Sequence, residues 1–282
     1  MKKVAVIQDL SSFGKCSLTA AIPVLSVMGI QACPLPTAIL SAQTGYPSFF
    51  YEDFTSKMQY FEEEWSKLNV TFDGIYTGFV TGQEQIHNIL KFLDTFYQKD
   101  TLLLVDPVMG DVGEAYKLYT NELLVQMKEL VKCADVITPN VTECCLLTGL
   151  SYEKLHNYSN EQDFLKALEE SGRTLQQATS AKVIITGVNP PSKDSNQRYV
   201  GNMCLDVSKT MYSHTPYNGK SYSGTGDLFA SVIIGSMMRG EDLEQSVVLA
   251  EEFLTAAIND TYLEGVQEVE GVNFEKYLNI LL

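Results

Sequence analysis

Short β-rich apolar runs alternate along this chain with longer stretches in which apolar residues return every three or four positions. The runs Val4 to Gln8, Gln31 to Leu35, Gly74 to Tyr76, Thr101 to Val105, Asp135 to Thr138 and Lys182 to Thr186 predict strands. Between them, Gln83 to Gln98 carries Ile86, Ile89, Leu90, Leu93 and Phe96 at helical spacing, and Asn121 to Val131 repeats Leu123, Leu124, Met127, Leu130 and Val131. Alternation of this kind predicts an α/β fold with a central, mostly parallel sheet covered by helices on both faces. After Thr186 the pattern changes. A polar loop with Pro and Ser, Asn189 to Gln197, precedes two alternating runs, Arg198 to Val207 and Thr210 to His214, which predict a short antiparallel hairpin. Helical patterns then cover Leu228 to Met238, Leu243 to Ile258 and Phe274 to Leu282, the first two closed by Gly240 and by Asn259-Asp260. No linker, low-complexity tract or repeat interrupts the chain, so a single domain over 1–282 is expected.

Composition narrows the function classes. With 282 residues, 45% of them hydrophobic and 20% charged, the chain can bury a large core. Its formal charge of −15 would repel a polyphosphate backbone, which argues against a nucleic-acid partner. A nucleotide is still compatible, because backbone amides, a few cationic groups and a divalent metal can hold a triphosphate locally. Met1-Lys2-Lys3 leads directly into Val4 to Ile7, too short for a signal segment, and no run approaches the roughly 18 apolar residues of a membrane span. A cytoplasmic protein with no membrane partner is the expectation. The six cysteines form no C-x-x-C pair and, with His87, His156 and His214, no set with zinc spacing. They are expected as reduced thiols, with Cys144 and Cys145 packed beside Leu146 and Leu147 in the core.

In an open α/β sheet the ligand crevice lies beyond the carboxyl ends of the strands, so the residues following each strand matter most. The segment Asp9 to Cys16 superficially matches the phosphate loop G-x-x-x-x-G-K-[ST], but Asp9 stands at the first glycine and Cys16 at the metal-binding hydroxyl. No G-x-G-x-x-G fingerprint follows any strand. The sharper signal is Ser223-Gly224-Thr225-Gly226-Asp227, directly before the apolar helical run Leu228, Phe229, Val232, Ile233 and Met237. Glycines there allow several amides to face one anion at the positive end of a helix. A carboxylate at that rim would repel phosphate, yet it suits a base beside an attacking hydroxyl; the plainer alternative is that Asp227 only caps the helix.

Asp106 and Asp111 bracket a turn at a strand end, and Asn140 and Glu143 stand three apart at the start of a helical stretch. Such oxygen ligands suit Mg²⁺, which binds few carboxylates together with phosphates and waters. Ordinary turn chemistry around Pro107 and Pro139 is the competing account.

Taken together, Thr44-Gly45-Tyr46, Thr77-Gly78-Phe79, Asp106 to Asp111, Thr138-Pro139-Asn140 with Glu143, Val183 to Thr186, and Gly224 to Ala230 resemble the pyridoxal kinase branch of the ribokinase-like superfamily. The similarity runs from Val4 to about Ala230. It implies a three-layer ribokinase-like fold and ATP-dependent phosphorylation of the 5′-hydroxymethyl group of a vitamin B6 vitamer, giving the 5′-phosphate and ADP. Asp227 would be the base, with Gly224, Thr225 and Gly226 stabilising the transferred phosphoryl. Asp106, Asn140 and Glu143 would help hold Mg²⁺ and the phosphates, directly or through water. Asp111, Thr138 and Thr186 would contact ATP, and Tyr116 matches the tyrosine of the loop over the nucleotide. Asp9, Thr44 and Phe79, with Leu40 and Ser223, would surround the B6 ring. Two positions depart from the commoner pattern, Asp9 for Ser and Phe79 for Tyr. A carboxylate at position 9 would favour a protonated ring nitrogen, and Phe79 keeps the stacking face without the hydroxyl. The resemblance further implies a homodimer and a monovalent cation such as K⁺ near the phosphates. Two other readings use the same residues: a hydroxymethylpyrimidine kinase of the same superfamily, and a non-catalytic B6- or nucleotide-binding regulator, for which Asp227 would have no evident use.

Overall fold

The first apolar run becomes β1 (Lys3–Ser11), which extends three residues beyond the predicted end at Gln8, so Asp9 lies within a strand and not in the loop that follows. A computed structural model describes residues 1–117, 119–191, 198–207 and 209–282. These residues group into two units, 1–104 with 220–282, and 105–219.

After β1 the first unit continues through α1 (Ser17–Val27), β2 (Gln31–Leu40), β3 (Tyr51–Asp53), α2 (Thr55–Lys67), β4 (Gly74–Thr77), α3 (Gln83–Phe96) and β5 (Leu102–Val105). Its strands stand in the order β5-β4-β1-β2-β3, with β1 parallel to both β2 and β4, and β2 antiparallel to β3. The periodicity of β2 is broken by Pro34 and Pro36, yet the strand runs on to Leu40. It can do so because β3 pairs only with Ala38 to Leu40, leaving the side of the two prolines without a ladder to disrupt.

The second unit holds β6 (Gly110–Asp111), β7 (Glu114–Ala115), α4 (Asn121–Lys132), β8 (Val136–Ile137), α5 (Val141–Thr148), α6 (Tyr152–His156), α7 (Glu161–Thr179), β9 (Lys182–Val188), β10 (Tyr199–Asp206) and β11 (Lys209–Pro216). The strands follow the order β8-β9-β10-β11, parallel between β8 and β9 and antiparallel thereafter. The expected hairpin is thus β10 and β11, and a second short hairpin joins β6 and β7. Of the polar loop before it, residues 192–197 lie outside the described residues.

The chain then completes the first unit with α8 (Thr225–Met238), α9 (Leu243–Leu263) and two 3₁₀ segments, Glu268–Glu270 and Glu275–Leu281. Two expectations need correcting. Helix α9 passes through Asn259 and Asp260 to Leu263, because Asp260 faces outward and bonds Lys276 instead of turning the chain. The last helical pattern is a 3₁₀ segment that buries only Leu281. Gly240 does stand just beyond α8, in a left-handed conformation.

Within the first unit, Val4 to Ile7 are fully buried, as are Leu228 and Val232 to Ile234 of α8. In the second, Phe164 and Leu168 of α7 and Val183 to Ile185 of β9 are the corresponding core. All six cysteines are free thiols, and Cys144 and Cys145 are buried as expected. Among the described residues no helix is long and apolar enough to cross a membrane.

Candidate active site

Helix α8 begins where Gly224 takes a left-handed conformation (φ 80°), which leaves the first-turn N–H groups of Thr225, Gly226 and Asp227 outside the intrahelical ladder. A side chain at Gly224 would run into the Lys15 carbonyl oxygen, so the close approach of two backbones requires glycine there. The Thr225 hydroxyl donates to the Tyr222 carbonyl oxygen at 3.1 Å, closing the turn, and Ser223 precedes it with its N–H bonded to the Glu268 carbonyl oxygen at 2.9 Å. Asp227 is half-buried in the first helical turn. The N-cap residue Gly224 has no side chain with which to cap this helix end.

Asp9 is only 4% exposed. It accepts the hydroxyls of Ser17 at 2.5 Å and Ser11 at 2.7 Å, so it is a structured carboxylate, and burial raises its pKa while those bonds oppose the shift. Burial, then the charges of Asp227 and Asp9, push the neighbouring Cys16 thiol far above its ordinary range. Such a thiol is a poor nucleophile. Leu40 is buried at the end of β2, Phe79 is half-buried after β4 with its carbonyl accepting from Thr37, and Thr44 is exposed.

Two glutamines in this unit were not singled out by motif. Gln43 links the Thr44-Gly45-Tyr46 loop to Ser223, and its position inside a polar stretch carries no periodic signal. Gln8 is wholly buried against Gly78, and among the described residues neither of its amide atoms has a hydrogen-bond partner. A polar residue ending the run Val4-Ala5-Val6-Ile7 was the available clue. The Lys15 ammonium bonds Asn273 and Glu275, consistent with the failed match to a phosphate loop.

In the second unit, Asp106 and Glu143 are 7% and 3% exposed. The Thr138 hydroxyl donates to Asp106 at 3.1 Å. Glu143 accepts the Met109 N–H at 3.0 Å and the Asn140 N–H at 2.8 Å, while the Asn140 side-chain oxygen accepts the Glu143 N–H at 2.9 Å, a reciprocal cap on α5. The Asn140 amide also donates to the Gly110 carbonyl oxygen, so its side chain is engaged in holding Glu143 and the 110 turn. Burial pushes Asp106 up to about 7, and burial followed by the Asp106 charge pushes Glu143 well above its ordinary value. Two like charges in a desolvated position fit a divalent cation, which would relieve both effects. Among the described residues no three His, Cys, Asp or Glu side chains gather as a metal cluster.

Around this pair, Thr186 bridges Asn140 through a parallel strand contact and donates its N–H to the Pro139 carbonyl oxygen. Asp111 is exposed, accepting from Val112 in a left-handed turn that Gly113 continues. Tyr116 is 46% exposed, with its N–H bonded to Met109.

The sequence pattern of phosphomethylpyrimidine kinase matches residues 14–272, nearly the whole chain. The chain belongs to the phosphomethylpyrimidine kinase family. A relative in this group is the pyridoxal kinase of Dictyostelium discoideum, 28% identical, the match covering 92% of this chain and 86% of the relative. A crystal structure from Bacteroides thetaiotaomicron, provisionally named a phosphomethylpyrimidine kinase and determined with pyridoxal, is 39% identical, with a TM-score of 0.90 over 99% of this chain and 95% of the other. The pyridoxal kinase of Lactobacillus plantarum is 29% identical, with a TM-score of 0.84 over 100% and 97% of the two chains. Kinase chemistry and the expected ribokinase-like fold are therefore properties of the family to which the chain belongs.

Proposed function

We propose that the protein transfers the γ-phosphoryl group of ATP to the 5′-hydroxymethyl group of a vitamin B6 vitamer. The observation that carries this reading is Asp227 beside the open, glycine-initiated end of α8. There a carboxylate takes the hydroxyl proton while the hydroxyl oxygen attacks the γ-phosphorus; the bond to the β–γ bridging oxygen breaks and ADP leaves. Backbone N–H groups of Gly224, Thr225 and Gly226 stabilise charge on the transferred group. Asp9, Leu40, Thr44, Phe79 and Ser223 receive the ring, with Asp9 paired to a protonated ring nitrogen.

Asp106 and Glu143 would hold Mg²⁺, oriented by the Thr138 hydroxyl and by the Asn140 cap, and Asp111, Tyr116 and Thr186 would contact the nucleotide. Bound there, Mg²⁺ would supply positive charge for the phosphates. The same reading includes K⁺ near the phosphates and a homodimer acting in the cytoplasm. Likeness to pyridoxal kinases over nearly the full chain supports it, as does the relative determined with pyridoxal.

Phosphorylation of hydroxymethylpyrimidine is the second reading, favoured by the family's own description. Purified protein is incubated with ATP, Mg²⁺ and K⁺ and with pyridoxal, pyridoxamine, pyridoxine or hydroxymethylpyrimidine, and products are followed by mass spectrometry. Fastest turnover of a B6 vitamer is expected. Turnover of the pyrimidine alone would transfer the site to the second reading, and no turnover at all would leave a binding protein.

A further inference from the structure

The anion loop is held from outside by a part of the chain far away in sequence. Gln43 spends its whole side-chain amide on this. Its oxygen accepts the Gly45 N–H at 2.7 Å, and its nitrogen donates to the Val269 carbonyl oxygen at 2.8 Å and the Ser223 hydroxyl at 3.3 Å. Its own N–H donates to the Phe13 carbonyl oxygen, and Gly14 packs so close to it that a Cβ there would fall 2.7 Å from the Gln43 Cγ. One buried side chain therefore joins the 13–14 turn, the Thr44-Gly45-Tyr46 loop, Ser223 and the turn at 268–270.

Lys15 makes a parallel connection. Its ammonium donates to Asn273 at 2.7 Å and Glu275 at 2.8 Å and stands 5.9 Å from the centre of the Phe274 ring, while its carbonyl oxygen is the atom against which Gly224 rests. Gly271 completes the contact: it has φ 85°, and a Cβ on it would lie 3.0 Å from the Lys15 Cβ and 3.1 Å from the Ser223 carbonyl oxygen. The Glu268 carbonyl oxygen accepts the Ser223 N–H, and the Glu268 carboxylate accepts the Ser221 N–H and the Lys220 ammonium.

We infer that Gln43 and Lys15 are positioning residues of the phosphoryl-transfer site, tying the substrate loop and the start of α1 to the 268–275 turn and thereby holding Gly224 in the left-handed geometry that aims the α8 amides. Neither side chain is given a contact with substrate in this scheme. Each acts one bond away, on Ser223 or on the carbonyl beneath Gly224, where a small rotation of the loop redirects the N–H groups of Thr225 to Asp227. The half-exposed Lys15–Glu275 pair adds little stability of its own. Its effect is directional, and misalignment of a reacting group is costly out of proportion to the displacement.

The inference rests on the reading of Gly224 to Gly226 as the anion cradle, so its test needs one readout that does not depend on turnover. Four variants serve: Gln43→Ala, Gln43→Glu, Lys15→Met and Lys15→Arg. Steady-state kinetics, melting temperature and amide hydrogen exchange over 221–228 are measured on each. Gln43→Ala is expected to lower kcat by about ten- to a hundredfold and to speed exchange at 223–227 while α9 stays as protected as in the parent. Gln43→Glu keeps the acceptor for Gly45 but loses both donated bonds, and should exchange like the alanine variant at the loop. Lys15→Met should slow turnover and loosen the same amides, and Lys15→Arg, which keeps a cation for Asn273 and Glu275, should recover both. Parent-like kcat, KM and loop exchange with only a lowered melting temperature would overturn the inference. If the parent phosphorylates no vitamer, the functional reading fails, and the exchange data alone decide whether the brace exists.

Discussion

Asn140 and Glu143 hold each other through reciprocal bonds, the Asn140 side-chain oxygen accepting the Glu143 N–H and the Glu143 carboxylate accepting the Asn140 N–H. The cap fixes Glu143 where it feels the charge of buried Asp106. A carboxyl whose folded pKa lies above its unfolded value binds its proton more tightly when folded, so its contribution to stability grows as pH falls and is lost as pH rises through the folded value. For Asp106 that window runs from its ordinary 3.8 up to about 7. Carboxylates held low by partners, Asp73, Asp206, Glu264 and Glu268, act with the opposite sign and below this range. In chelator, the melting temperature should therefore be higher at pH 5.5 than at pH 8. Asp106→Asn should shrink that difference by raising the value at pH 8, and Mg²⁺ at pH 8 should stabilise the parent but not the variant. Equal pH slopes in parent and variant would rule out the buried pair as the source.

Asp227→Asn retains shape and removes the carboxylate proposed as the base. Turnover should fall by roughly a hundred- to ten-thousandfold, while nucleotide affinity, read by calorimetry, stays near the parent's. A variant that turned over at the parent rate would remove Asp227 from the mechanism.

Gly224→Ala places a methyl group on the Lys15 carbonyl oxygen and asks alanine to adopt φ 80°. Strain of this kind costs on the order of 1–3 kcal/mol, which in a chain of this size lowers the melting temperature by several degrees. kcat should drop with it, because relieving the clash turns the α8 amides away. Gly240→Ala, also at positive φ but with open space around it, should lower stability alone. Similar losses of kcat in both would show that strain, not the cradle, is being measured.

Asp9→Ser exchanges a buried carboxylate for a shorter hydroxyl. The hydroxyls of Ser11 and Ser17 then lose their acceptor, and the pairing proposed to a protonated ring nitrogen would go with it. KM for B6 vitamers should rise about tenfold, the size of one charge-assisted hydrogen bond, with KM for ATP unchanged. Vitamer KM values that do not move would separate Asp9 from ring recognition.

Much of this was legible along the chain. The strand runs, the hairpin of β10 and β11, and helices α3, α4 and α8 follow from periodicity, because burial of one face repeats with the geometry of the element. Boundaries were less legible where neighbours decided them. β1 continues through Asp9 because β2 pairs with it as far as Leu40, and α9 ignores Asn259 and Asp260 because Lys276 takes up the Asp260 carboxylate.

By itself the sequence determined the alternating α/β order, the glycines that open α8 before Asp227, and the Asn140–Glu143 spacing that closes a cap. Each is set within a few residues, by backbone geometry that local side chains dictate. Tertiary structure alone decided that Lys15 meets Asn273 across 258 positions and that Gln43 meets Ser223 across 180. It also decided that Asp106 and Glu143 are both buried, so that burial raises the proton affinity of each and the Asp106 charge raises that of Glu143 further. Such contacts depend on which surfaces the elements bury against one another, and hydrophobic burial has no direction that the order of residues could encode locally.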